Sequence, residues 1–180
     1  MKQALKVLVS SLLAAGAALA APAVEEGDWR AAIEGGEKAL WEERLDDAEP
    51  QLLAARSLAR RPVEIARSIE RLADLRGAQG DHTQAIGLYL EALEAWKPVL
   101  DPDQPRLGIP LNNLALIYLK ECEVEAALPL VDRVDALWSG TDAVPPSYRE
   151  AALQSAATLL DVCGRRQEAT RLRARLASAP

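Results

Sequence analysis

Phenylalanine is absent from this 180-residue chain, and only three tyrosines and four tryptophans supply aromatic bulk. With 49% of residues hydrophobic, the apolar mass falls to alanine and leucine, while β-branched residues are sparse. That combination argues against sheets and for helices throughout. Histidine occurs once and cysteine twice, with no clustered ligand spacing, so zinc and haem sites are not expected. No phosphate loop, nucleotide fingerprint or nucleophile–base motif is present, and the reading is of a non-enzyme without cofactor or metal. Base is not in excess either. Twenty-one lysines and arginines face 27 acids, a net charge of −6, which argues against nucleic-acid binding because that needs a basic footprint. It also disfavours docking on anionic membranes.

Lys2 and Lys6 precede an apolar stretch from Val7 to Ala20, and small residues at Ala18-Leu19-Ala20 form a cleavage signature before Ala21. The stretch is shorter than the roughly 20 residues of a spanning helix, so a cleaved signal over 1–20 is expected, an uncleaved anchor being the alternative. A second cleavage signature lies at Ala21-Pro22-Ala23. Neither a lipid-accepting cysteine nor a twin arginine accompanies it, which points to bacterial export by the general route, to the periplasm or beyond. A short linker at 21–27 would follow, then one domain over 28–177 with no membrane segment. After cleavage, 19 bases face the 27 acids.

What the chain does have is a repeat of 42 residues. Leu72-Ala73, Leu114-Ala115 and Ala156-Ala157 recur at that period, as do Gly80, Cys122 and Gly164, and then Ala85, Ala127 and Ala169. A fixed period of roughly 20–50 residues marks stacked units that bury their apolar faces against one another. Within a unit, Leu111, Leu114, Ala115 and Tyr118 make one helical stripe, and Val124, Ala127, Leu128, Val131 and Val134 a second. Gly80 tolerates a helix-ending positive φ and Asp81 can cap the next helix. A final pair is expected at Tyr148–Val162 and Arg165–Leu176, opened by a capping box of Ser147 and Glu150. A weaker first pair covers Trp29–Trp41 and Leu45–Leu58. Alanines 73, 85, 115, 127, 157 and 169 should allow close helix approach, with Leu72, Tyr89, Leu114, Tyr118 and Leu160 filling the space between pairs.

Asp101-Pro102-Asp103-Gln104-Pro105, Leu111-Asn112-Asn113-Leu114-Ala115, Tyr118 and Glu125-Ala126-Ala127-Leu128-Pro129-Leu130 together resemble the tetratricopeptide repeat, in the longer form found in kinesin light chains and in many exported bacterial proteins. Leu72-Ala73, Gly80-Asp81, Ala85-Ile86 and Tyr89 extend the likeness. Cys122 departs from it where a turn glycine is usual, as does the first repeat, which lacks the Leu-Ala pair. The resemblance implies an all-α, right-handed solenoid of about four antiparallel helix pairs. It further implies that the first helix of each pair lines a concave, peptide-binding face.

On that face the expected residues are Ile33, Glu37, Leu40 and Trp41 in the first repeat, and Glu70, Asp74 and Ala78 in the second. Asn112, Asn113, Leu116, Leu119 and Lys120 follow in the third, and Gln154, Ser155, Thr158 and Asp161 in the fourth. An amide both donates and accepts, so Asn113 either pairs with a peptide backbone, as in light-chain-like relatives, or bonds its neighbouring helix. Trp41 is either an apolar anchor or a cap. With Glu37, Glu70 and Asp74 in the groove, a basic or neutral peptide fits better than an acidic C-terminus.

Cys122 and Cys163 fall at adjacent inter-helix tips. Helices stand roughly 10 Å apart, whereas a bridge needs Cα atoms within about 7 Å. Separate, partly buried thiols are therefore expected, a disulfide being the alternative. His82 is expected to pack at a turn. The function expected is protein binding as a scaffold, adaptor or chaperone. The rival is self-assembly or an accessory-subunit role, with the ten acids of 21–60 meeting the five arginines after Gly164 on another copy. Partner identity and oligomeric state stay open.

Overall fold

The computed structural model describes residues 26–177. The expected signal at 1–20 and most of the linker at 21–27 lie outside the described residues. Eight α-helices follow one another as four antiparallel pairs, and no strand occurs among the described residues. They are α1 (Glu26–Trp41) with α2 (Leu45–Leu58), α3 (Pro62–Ala78) with α4 (His82–Trp96), α5 (Gly108–Lys120) with α6 (Val124–Trp138), and α7 (Pro146–Val162) with α8 (Arg166–Ala177). A 3₁₀ turn, Pro105–Leu107, leads into α5. The pairs stack as a right-handed solenoid.

Within each pair the two helices are joined by the same device. Gly80, Cys122 and Gly164 all take positive φ, at 79°, 55° and 76°. The amide after each reaches back to the last turn of the first helix, Asp81 to Arg76 O, Glu123 to Tyr118 O and Arg165 to Leu160 O, at 2.8–2.9 Å. This is the hydrogen-bond pattern of a Schellman ending. The first repeat uses it too, with Glu43 at φ 56° and Arg44 N on Ala39 O. Asp81 then caps α4 by accepting from Gln84 N.

The six periodic alanines are fully buried, as are Leu72, Tyr89, Leu114 and Leu160. Tyr118 is only half-buried. One cluster joins α1 and α2 to α3 through Trp29, Ile33, Leu52, Leu72 and Leu75. A second centres on Ala73, Ala85, Tyr89, Leu114 and Ile117. The third runs from Ala115, Leu119 and Val131 to Leu153, Leu160 and Leu172. Each apolar face is therefore covered by the next pair, the nearest-neighbour stacking that a periodic sequence requires.

One local expectation is corrected. Ser147 and Glu150 form no capping box: Pro145 is the N-cap and Pro146 begins α7, its fixed φ starting the helix one residue before Ser147 could cap it. The box sits instead at α3, where Glu64 Oε2 accepts from the backbone N–H of Arg60 and Arg61. The connector before α5 is fixed by Trp138, whose Nε1 donates to Pro105 O at 2.8 Å over the face of Gly108. A Cβ on Gly108 would lie 2.2 Å from that nitrogen, so glycine is required there.

Candidate functional site

The first helices line one concave groove of about 1020 Å³. Its walls repeat the period of the sequence: Arg71, Asn113 and Ser155 occupy one level, Asp74, Leu116 and Thr158 the next, and Ala78 and Lys120 the one beyond. Steps of three and four along each helix keep these side chains on one face. Glu37, Leu40 and Trp41 close the N-terminal end, and Gln154 and Leu159 the other. Trp41 is 89% exposed, while the other three tryptophans are buried in the stack.

Five expected groove residues are not on its wall, and three of them point into the core. Glu70 is fully buried, Leu119 belongs to the core between the third and fourth repeats, and Ile33 to the core of the first. Glu70 and Leu119 each precede a groove residue, Arg71 and Lys120, by one position. That turns them about 100° away from the groove. Asn112 is half-buried beside the groove and donates to Asn113 Oδ1 at 3.3 Å. Asp161 is outside the groove wall, paired with Arg173.

The acids are not free charges. Glu37 accepts from Arg67 at 2.6–2.9 Å, and Arg71 Nε lies 3.1 Å from Glu37 without hydrogen-bond alignment. Glu70 accepts from Arg71, from Arg106 and from Trp96 Nε1, all at 2.8–2.9 Å. Asp74 receives the Arg71 guanidinium, the Tyr89 hydroxyl at 2.5 Å and Asn113 Nδ2 at 3.0 Å. The acidity expected to favour a basic ligand is thus consumed internally by Arg67, Arg71 and Arg106. Sequence reasoning missed these arginines, although Arg67 and Arg71 stand at helical spacing from Glu70 and Asp74. Lys120, exposed on the groove wall, makes no ion pair among the described residues.

Burial pushes the Asp74 carboxyl above the usual range, and the Arg71 charge offsets only part of it. Burial also raises the Tyr89 phenol, reinforced by the neighbouring Asp74 charge, so this hydroxyl stays protonated and donates. For Arg71, burial opposes the charge, but Asp74, Glu70 and Glu37 outweigh it and the guanidinium is held more firmly protonated. The cluster joins α1, α3, α4, the 3₁₀ turn and α5 under the groove.

Cys122 and Cys163 form a disulfide with Cα atoms 5.5 Å apart, which corrects the expectation of separate thiols. The 10 Å spacing applies between helix axes. Cys122 lies beyond the end of α5, where its positive φ turns the chain aside and brings it to the end of α7. The bridge ties α5 to α7, the two helices of the C-terminal half of the groove.

His82 sits at the start of α4, half-buried, with Nδ1 against Glu121 of the next tip. Among the described residues no group of three or more His, Cys, Asp or Glu could hold a metal ion. None of the described helices is long and apolar enough to cross a membrane. Three of the five arginines after Gly164 are tied within the chain, Arg165 to Glu125 and Glu168, Arg173 to Asp161, and Arg175 to Asp132 and Asp135.

Residues 64–134 match the family model of the tetratricopeptide repeat. Among solved structures, a kinesin-light-chain-like protein of Podosopora anserina with nearly identical TPR-like repeats is similar at a TM-score of 0.69 and 20% identity, over 99% of this chain and 85% of that one. BtubC (BKLC) from P. vanneervenii matches at a TM-score of 0.42 and 15% identity, over 87% of this chain and 93% of that one. No curated protein matches the chain. Repeats of this family are in general protein-interaction scaffolds. Residues 64–134 thus match the tetratricopeptide repeat, and the eight described helices share the solenoid fold of the kinesin-light-chain-like repeat structure.

Proposed function

We propose that this chain is an exported, non-catalytic binding protein of the cell envelope, which holds a peptide or helix of a partner protein in its concave groove. One observation carries the reading: side chains from all four repeats converge on a single groove that sets Leu40, Trp41, Leu116 and Leu159 among Asn113, Lys120, Gln154, Ser155 and Thr158. Apolar anchors ringed by polar groups are the composition of binding pockets and of interface hot spots, in which tryptophan is over-represented. Trp41, 89% exposed at the groove mouth, is an available apolar contact for a ligand. The groove is continuous with a rigid stack, so binding would need little rearrangement.

Export is supported by the N-terminal lysine–apolar–alanine pattern and by the Cys122–Cys163 bridge, since disulfides persist in oxidising compartments. The ligand's charge is not set by Glu37, Glu70 or Asp74, which are neutralised in place. An apolar side chain for the Trp41–Leu40 end is the stronger requirement.

The test is capture from envelope extract by the mature chain beside an Asn113→Ala, Leu116→Ala double variant. A protein retained by the wild type and lost by the folded variant supports the reading. Equal retention by both moves the binding surface to the convex face, the tips or α8 and refutes it.

A further inference from the structure

An asparagine amide has a donating end and an accepting end of similar size, so its shape alone does not decide which end meets a ligand. At Asn113 the surroundings decide. The Arg71 guanidinium has donors only, and the Tyr89 hydroxyl, buried and held protonated, also donates to Asp74. The Asp74 carboxylate, gripped by these two, has only acceptor positions left. It therefore faces the NH₂ end of Asn113, 3.0 Å from Nδ2. A flipped amide would set a carbonyl oxygen against a carboxylate. From the far side, Asn112 Nδ2 donates to Asn113 Oδ1, which agrees with the same orientation.

Asp74 itself has little freedom to swing. Arg71 is braced by Glu70, which is fully buried and also holds Arg106 and Trp96. A carboxylate locked by two donors beneath an amide on the groove wall is more than packing needs, because an apolar pair of the same volume would serve a core as well.

We propose that Asp74, held by Arg71 and Tyr89, is a positioning residue that fixes the Asn113 amide in one orientation. The carbonyl oxygen and the second N–H of Asn113 then offer a one-way hydrogen-bonding pair to the backbone of a bound peptide. This rests on the groove-binding reading above and adds to it a preferred register and chain direction for the ligand. The amide accepts from one backbone N–H of the peptide and donates to the neighbouring carbonyl, an order that a reversed chain does not match.

The probe is the tightest decapeptide selected from a displayed random library on the mature wild-type chain, resynthesised with each backbone nitrogen methylated in turn. In the wild type one methylation should weaken binding about tenfold, the worth of one good hydrogen bond, and Asn113→Ala should abolish that penalty. In Asp74→Asn the penalty should shrink at that position alone, because either amide orientation is then available, whereas Tyr89→Phe leaves the carboxylate facing Asn113 and should keep the penalty. An unchanged methylation profile in folded Asp74→Asn overturns the proposal.

A second measurement needs no ligand. The Asn113 Nδ2 proton that faces Asp74 should lie downfield in the ¹⁵N NMR spectrum of the free protein and should move back upfield in Asp74→Asn. Amide proton shifts that lack the downfield displacement, or are indifferent to Asp74→Asn, overturn the proposal whatever the peptide does. Selected peptides indifferent to both Asn113→Ala and Leu116→Ala would instead sink the groove reading, leaving the NMR result to decide the orientation.

Discussion

Reducing the Cys122–Cys163 bridge should destabilise the C-terminal half of the stack by an amount set by chain entropy. The cysteines are 41 residues apart in sequence, and the bridge therefore closes a loop through all of α6 and α7. The loop-entropy relation puts the stabilisation from such a loop at about 4 kcal/mol. A second effect separates the two cysteines. Cys122 holds φ at 55°, where its repeat equivalents are Gly80 and Gly164. Left-handed backbone costs a residue with a Cβ roughly 1–2 kcal/mol, a cost glycine avoids. Cys163→Ser should then lose about 4 kcal/mol, the loop term alone. Cys122→Gly loses the same bridge but regains the strain, and should lose only about 2–3 kcal/mol. Urea unfolding of the oxidised mature chain, the chain in dithiothreitol and the two variants would measure the series. Hydrogen exchange should place the lost protection in α7 and α8 and spare α1 and α2, since each pair leans only on its neighbours. Equal stability with and without reductant, or a Cys122→Gly protein less stable than Cys163→Ser, would refute this reasoning.

Removing the charge of Glu70 should be among the most damaging single changes. Glu70→Gln leaves Arg71 and Arg106 short of a buried counter-charge, and a loss of about 3–5 kcal/mol is expected in the same urea assay. Acid should act on two carboxylates with opposite sign. Burial opposes ionisation of Glu64, but the Arg61 and Arg60 backbone N–H groups and the Arg61 guanidinium overcome it and hold the carboxyl below 4.5. Its stabilisation is present above that value and lost as pH falls through the folded pKa. Asp74 lies above 3.8 in the folded chain, so its share is present below 3.8 and lost as pH rises through the folded pKa. Stability followed downward from pH 6 should fall less in Glu64→Gln than in the wild type, and more steeply in Asp74→Asn. With Trp41 in water and Trp29, Trp96 and Trp138 buried, Trp41→Phe should shift the fluorescence emission to the blue; no shift would mean that Trp41 is covered.

Much of the scaffold could be read before any coordinates, because stacking repeats the same demands every 42 residues. Alanines at 73, 115 and 157 are the close approaches, and Gly80 and Gly164 the left-handed turns. The groove shares this register, and the resemblance, which put the first helices on the concave face, led to Asp74, Asn113, Leu116, Lys120 and Gln154 on its wall. What escaped was whatever turns on a single residue of rotation or on non-periodic partners. Glu70 reads as a groove acid, yet one step from Arg71 it points inward, and its partners Trp96 and Arg106 lie 26 and 36 residues away outside the repeat pattern. Leu119 fails for the same reason beside Lys120. The bridge was misjudged because helix spacing was applied to two residues lying at the helix ends. Ser147 and Glu150 have the spacing of a capping box, but Pro146 claims the first helical position.

The central claim is that a partner lies in the concave groove. A photo-crosslinking residue placed at Leu116, on the groove wall, would be compared in the native cell with one at Leu90, exposed on α4 outside the groove. The account predicts a discrete protein adduct from position 116 and none from 90. An adduct from 90 with nothing from 116 would contradict it.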